Sequence, residues 1–269
     1  KRSVLVSRDT HGVPHIEASN LDDAQVALGY TMASDRLFQM ELLRRIASGS
    51  LSEMLGPKTV KYDMLLRKLR FKRYSEEFLK KNNKSIHPRV IKESELFLSG
   101  VNQYIETGNV PIEFKILGIK PGPFTITDIM AISGFVSLSF AEEIISGPLM
   151  ASLLSEFPKE AILELLVKHR NDNIYKERSK LAYDPVKSDW YKTLMAGLSQ
   201  FTQSIGMVHG SNSWVLSSKK SKSGFPILSN DPHIAFSNPS FWYEAHIKTP
   251  DYEQYGHYIP IVPFAGLGH

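Results

Sequence analysis

The apolar residues of this chain keep a helical period from residue 19 to 205 and a strand period after 210, and that change constrains the fold more than any other feature. Between residues 19 and 205 the spacing is helical: Ala24, Leu28 and Met32 recur at i, i+4, and Leu37, Met40 and Leu43 carry the stripe onward. Ser19 or Asn20 can cap this first helix. Asp22 and Asp23 sit at the positive end of its dipole and Arg44 and Arg45 at the negative end, before Ala47-Ser48-Gly49-Ser50 breaks the pattern. Further helices are predicted over roughly 59–82, 88–107, 127–144 and 148–169, with Pro111, Pro121 and Pro123 marking a loop and 171–189 a polar surface connection. From Gly210 the period falls to two. Phe241, Tyr243, Ala245 and Ile247 alternate with Trp242, Glu244, His246 and Lys248, and shorter strands are predicted near 213–216, 226–228 and 255–262. Residues 1–18 predict two short strands, around Val4-Leu5-Val6 and Pro14-His15-Ile16, flanking the turn residues Asp9 to Gly12. The class is α+β.

The balance of residue types is that of a folded protein, with 42% hydrophobic and 22% charged residues in 269. The formal charge is only +4, and the basic residues are dispersed apart from pairs such as Lys80-Lys81 and Lys219-Lys220. Nucleic-acid binding asks for a concentrated basic stripe, so no nucleic-acid partner is expected. The absence of cysteine removes disulfides, thiolate metal sites and cysteine nucleophiles. No apolar run approaches the ~20 residues that span a bilayer. The chain opens Lys1-Arg2-Ser3, with no signal peptide. It closes on Pro263 to His269, which reads as a glycine-rich loop. Helices followed by about four strands would leave open sheet edges, so the natural protein is expected to continue past His269.

Chemistry concentrates at the change of period. In Gly210-Ser211-Asn212-Ser213-Trp214, a glycine precedes a hydroxyl residue at the mouth of a strand. The pair reads either as a turn entering a strand or as a self-cleavage site. In the second reading the Ser211 hydroxyl attacks the Gly210 carbonyl, an ester forms, and water releases Ser211 as a chain end. A terminal serine carries a nucleophilic hydroxyl and an α-amine whose unperturbed pKa of about 7.7–8.0 lets it act as base. The other histidines show no H-E-x-x-H spacing, and Ser211 lacks a G-x-S-x-G elbow, which argues against metallohydrolase and triad chemistry.

Three segments in order carry a resemblance. Arg8-Asp9-Thr10-His11-Gly12-Val13-Pro14-His15-Ile16 is the first. Gly29 to Glu41 with Ala47 to Glu53 is the second. Gly210 to Val215, followed by Asn230-Asp231-Pro232-His233, is the third. Together they resemble the penicillin acylase family of N-terminal nucleophile hydrolases. The resemblance implies a four-layer αββα sandwich, of which this chain holds part. Residues 1–205 would be a mainly helical α-chain region, 206–210 a short processing linker, and 211–269 the start of a β-chain. It implies cleavage between Gly210 and Ser211, with Ser211 as nucleophile and its own base. His233 would stand close to the new amine, and Asn230 would brace the turn that holds it; the alternatives for these two are an ordinary turn residue and an Asx-turn.

The resemblance also implies one structural Ca²⁺ with Glu143 as a ligand, the other ligands lying beyond His269; Glu142 and Glu143 can equally be a solvated helix end. Val136, Ser137 and Phe140, with Ile234 from the β side, would line the acyl pocket, a role that competes with plain core packing. Phe135 is a further local candidate for that lining. The family's oxyanion donors fall past the segment resembling Gly268-His269, so residues 1–269 alone are expected to be inactive. The expected partners are a small N-acyl amide substrate and the chain's own two halves after processing, in the periplasm or outside the cell. The rival reading is a non-catalytic binding protein that keeps the fold; an intact Gly210-Ser211 favours the enzyme.

Overall fold

The computed structural model describes residues 3–139, 211–234 and 236–269, with isolated positions 153, 156, 157 and 197. By contacts the chain divides into two compact units, residues 1–136 with 210–269, and residues 137–209. All of the sheet structure and nearly all of the described helix belong to the first. Strands β1 (Leu5–Arg8) and β2 (Pro14–Glu17) form an antiparallel hairpin with Arg8 opposite Pro14. Asp9 shapes its turn: Oδ1 accepts from the backbone N–H of His11 at 2.8 Å and of Val13 at 3.0 Å.

Helix α1 (Leu21–Ser48) is capped as its sequence predicts. The Asn20 side chain accepts from the Asp23 N–H at 2.9 Å. At the far end Gly49 adopts φ 65°, where the backbone closes the helix by Gly49 N–H to Ile46 O and Ser50 N–H to Arg45 O. Arg44 and Arg45 do more than compensate the dipole. Both grip Glu41, whose side chain is 1% exposed, and Arg44 also donates to the Pro123 carbonyl at 2.9 Å. A buried carboxylate without such partners would be costly. The short helix α2 (Ser52–Leu55) takes its cap from a distance: buried Asp63 accepts from the backbone N–H of Leu51 at 2.7 Å and of Ser52 at 2.8 Å.

The stretch predicted as one helix over 59–82 is two, α3 (Val60–Leu69) and α4 (Phe71–Asn82), separated by Arg70 at φ 61°. Helix α5 (Pro88–Thr107) matches its expected span, and α6 (Ile112–Leu117) lies within a stretch predicted to be loop. Helix α7 (Ile126–Ser139) covers the described part of the helix predicted over 127–144. The helix predicted over 148–169, the connection 171–189 and the linker 206–210 lie outside the described residues, but for the isolated positions 153, 156 and 157.

After residue 210 the chain is β. Strands β3 (Ser211–Leu216) and β4 (Ile227–Pro232) make an antiparallel two-stranded ribbon. Strands β5 (Tyr243–Thr249), β6 (Tyr252–Tyr258) and β7 (Ala265–Gly268) join β1 and β2 in a five-stranded sheet of order β1-β2-β5-β6-β7. β7 falls where a loop was predicted. Its glycines permit a close approach: a Cβ on Gly268 would lie 2.3 Å from the Tyr255 carbonyl oxygen. The joint between the halves of the sheet is β2 with β5, paired in parallel, His15 opposite His246 and Ile16 opposite Ile247. The two histidines meet through their Nδ1 atoms at 2.9 Å.

Helix α1 packs against both α5 and the β2–β5 joint. Leu28, Met32, Leu37 and Met40 of the helix, Phe97 and Val101 of α5, and Ile16, Ala245 and Ile247 of the sheet are almost fully buried. Leu28, Met32, Leu37 and Met40 of that set lie on the predicted apolar stripe, and Ala245 and Ile247 share one face of the predicted alternation. No described helix is long and apolar enough to cross a membrane.

Candidate active site

The candidate site stands on the β3–β4 ribbon. Ser211 is the first residue of β3 and pairs with Pro232; Asn212 pairs with Asp231, and Ser213 with Asn230. In an antiparallel pair, opposite residues share a face and neighbours along a strand alternate. Ser211, Ser213 and Asn230 therefore occupy one face, and Asn212 and Asp231 the other. The hydrogen bonds agree. Ser213 Oγ donates to Asn230 Oδ1 at 2.8 Å on the first face. On the second, His233 Nε2 lies 2.9 Å from Asp231 Oδ2 and 3.2 Å from Asn212 Nδ2.

The site residues predicted from sequence thus separate in an informative way. Asn230 lies on the face of the Ser211 side chain, held by Ser213. His233 follows the partner of Ser211, at the end of the ribbon where the chain enters β3, and turns to the opposite face. Both strands are exposed along nearly their whole length, Trp214, Val215, Ile227 and Leu228 included. The half-buried Ile234 follows His233. Val136 and Ser137 stand on a separate element, α7, where Val136 is buried and Ser137 exposed. Phe135 beside them is buried against the Phe71 ring. Gly210, Phe140 and Glu143 lie outside the described residues. Among the described residues no group of three or more acidic or histidine side chains is arranged to hold a metal ion.

Sequence reasoning missed Asp231, Asn212 and Ser213 as partners of the predicted site residues. Their signal is the alternation of faces, which becomes readable only once the pairing register across residues 217–226 is known.

A second cluster lies on the main sheet. Arg8 forks onto Asp35, with its Nη2 2.8 and 2.9 Å from the two carboxylate oxygens. The same carboxylate accepts from the Tyr243 hydroxyl at 2.8 Å. Burial, and then the neighbouring Asp35 charge, push the Tyr243 phenol far above its ordinary value. Gln39 donates to the Ser240 carbonyl at 2.9 Å. These bonds fasten residues on the early side of Ser211 to residues on its late side.

Comparison with known proteins gives the relatives of this arrangement. The family model described as Penicillin amidase matches residues 3–269. The acyl-homoserine lactone acylase QuiP of Pseudomonas aeruginosa is 28% identical over 274 residues, covering 99% of this chain and 31% of the relative. The penicillin acylase 2 proenzyme of Pseudomonas sp. strain SE83 is 28% identical over 277 residues, covering 97% of this chain and 34% of the relative. This chain therefore spans about a third of the length of these relatives. The solved thermostable penicillin G acylase of Alcaligenes faecalis is 25% identical, covering 63% of this chain and 93% of that one, with a TM-score of 0.45 that is too low to fix a common fold.

Proposed function

Because this chain belongs to the penicillin amidase family, we propose that it is the first part of a self-processing amidohydrolase whose nucleophile is Ser211. The observation that carries the proposal is the placement of Ser211 as the opening residue of β3, with its neighbours Ser213 and Asn230 hydrogen-bonded on its own face. Cutting the Gly210–Ser211 bond would leave the hydroxyl on that face and the new amine at the ribbon end.

In the reaction, Ser211 Oγ attacks the acyl carbon of a linear amide while the Ser211 amine takes the hydroxyl proton. That proton passes to the departing amine as the carbon–nitrogen bond breaks. Water, deprotonated by the same Ser211 amine, then cleaves the acyl ester and restores the hydroxyl. Asn230 holds the strand pair in register, and His233 orients the amine. The substrate class is an N-acyl amine of the kind named in the relatives, an acyl-homoserine lactone or a β-lactam side-chain amide. Ile234, Ser137, Phe140 and Val136 are its proposed contacts, although the burial of Val136 favours a packing role for that residue.

The wider reading comprises a four-layer αββα sandwich, a structural Ca²⁺ bound through Glu143 outside the reaction path, and a periplasmic or secreted location. The ribbon supports the first of these, since apolar side chains on both of its faces suit strands covered on two sides. Intact mass and N-terminal sequencing of the whole protein test the central claim: a chain beginning Ser-Asn-Ser-Trp is expected. Ser211→Ala is expected to give one uncut polypeptide without hydrolase activity, and full activity in that variant would overturn the mechanism.

A further inference from the structure

His233 Nε2 has two neighbours on its ribbon face, Asp231 Oδ2 at 2.9 Å and Asn212 Nδ2 at 3.2 Å. One ring nitrogen cannot donate to a carboxylate and accept from an amide N–H together. The carboxylate is charged and closer, so Nε2 carries the proton and donates to Asp231. The Asn212 amide, whose two ends have the same shape, then presents its oxygen to that N–H. With its proton on Nε2, a neutral imidazole keeps a lone pair on Nδ1. Nδ1 has no hydrogen-bond partner among the described residues.

From this arrangement we infer that Asp231 is a positioning residue: it fixes the tautomer and tilt of His233 so that Nδ1 accepts a hydrogen bond from the chain-end amine of Ser211. The inference rests on the proposal that Ser211 becomes a chain end, and it gives a role to Asp231, which the sequence reading quoted only as part of a matching segment. The register makes the contact accessible. A strand's backbone nitrogen lies between the two faces of the ribbon, so the amine can be met from the His233 face while the hydroxyl stays with Ser213 and Asn230. Giving one N–H to Nδ1 makes the amine more basic and turns its lone pair toward its own hydroxyl. No proton passes to the imidazole; the amine remains the base. Asp231→Asn would remove the charge that fixes this tautomer, because an amide can offer Nε2 its oxygen or its N–H, and the N–H selects the tautomer whose Nδ1 proton repels the amine N–H. The logic is that of the carboxylate orienting the histidine of a serine-protease triad, transferred to a histidine that orients an amine.

The experiment compares the whole protein with Asp231→Asn, Asp231→Glu, His233→Ala and the Asp231→Asn/His233→Ala double variant. Each is scored for the cut by intact mass and for kcat and KM on an N-acyl amide, with thermal unfolding as a check on folding. Asp231→Asn is expected to lower kcat by ~10–100-fold, by analogy with the outer-shell partners that orient metal-bound histidines, with KM within about twofold, and Asp231→Glu to restore most of it. In the His233→Ala background the same change is expected to do nothing further, since Asp231 acts only through that ring. The inference is overturned if Asp231→Asn leaves kcat within twofold, or if its effect persists in full without His233. If Asp231→Asn stops the cut, His233→Ala must stop it too; a cut His233→Ala protein would overturn the inference. A wild-type protein that is never cut at Ser211 sinks the underlying mechanism instead, whatever the variants do.

Discussion

Tyr243 is nearly sealed from water, and its hydroxyl donates to Asp35, the carboxylate that Arg8 also holds. Tyr258 in the next strand is sealed completely, with Gln254 as its hydrogen-bond acceptor. Burial drives both phenols well above the value they take in an unfolded chain. The folded forms stay neutral as the pH passes about 10, where an unfolded tyrosine ionises. Their contribution is therefore complete below pH ~10 and is lost above it, at about 1.4 kcal/mol per pH unit for each. Denaturant unfolding between pH 9 and 11 should show a steep alkaline decline that Tyr243→Phe/Tyr258→Phe flattens; an equal slope in both proteins would refute the assignment. At this scale much was legible. The period alone puts Tyr243 on one face with Ala245 and Ile247, the face that is buried, and Ser19 or Asn20 at one end and Ala47 to Ser50 at the other bracket α1, which the structure closes at Asn20 and Gly49. The partition of the candidate site was not. Ser211, Asn230 and His233 were identifiable by resemblance, but which of them share a face depends on register, and register depends on how residues 217–226 fold back.

Helices α1 and α5 cross at two glycines. A Cβ on Gly29 would lie 1.9 Å from the Phe97 carbonyl oxygen, and one on Gly100 would lie 1.9 Å from that of Val26. Glycine in a helix interior costs about 1 kcal/mol relative to alanine, so alanine would ordinarily be an improvement. Here the obstacle is backbone, and no rotamer change relieves it. Gly29→Ala and Gly100→Ala should each destabilise by roughly 2–4 kcal/mol, measured as a lower urea midpoint, and a stabilised variant at either site would refute the close crossing. The elements missed from sequence failed for related reasons. β7 is rich in glycine and reads as loop, yet the missing side chains are what allow it to lie against β6. The break at Arg70 carries no Gly or Pro, and α6 is too short for a periodic signal.

Across the whole molecule, the five-stranded sheet draws β1 and β2 from before Ser211 and β5, β6 and β7 from after it. Nothing local in the sequence announces the β2–β5 pairing, because the partners lie more than two hundred residues apart and parallel strands leave no turn signature between them. The β2 edge, the Arg8–Asp35–Tyr243 cluster and the Gln39–Ser240 bond together bridge the proposed cut. The two products should co-elute as one species under native conditions and separate only in denaturant; early release of either product on a native column would contradict the bridge. The same seam dictates a chronology. Under the proposed cut, a precursor severed early would lose the tether that brings its distant strands together, so scission is expected to follow assembly. On that proposal maturation would act as a proofreading step, open only to a polypeptide that has already reached its native arrangement.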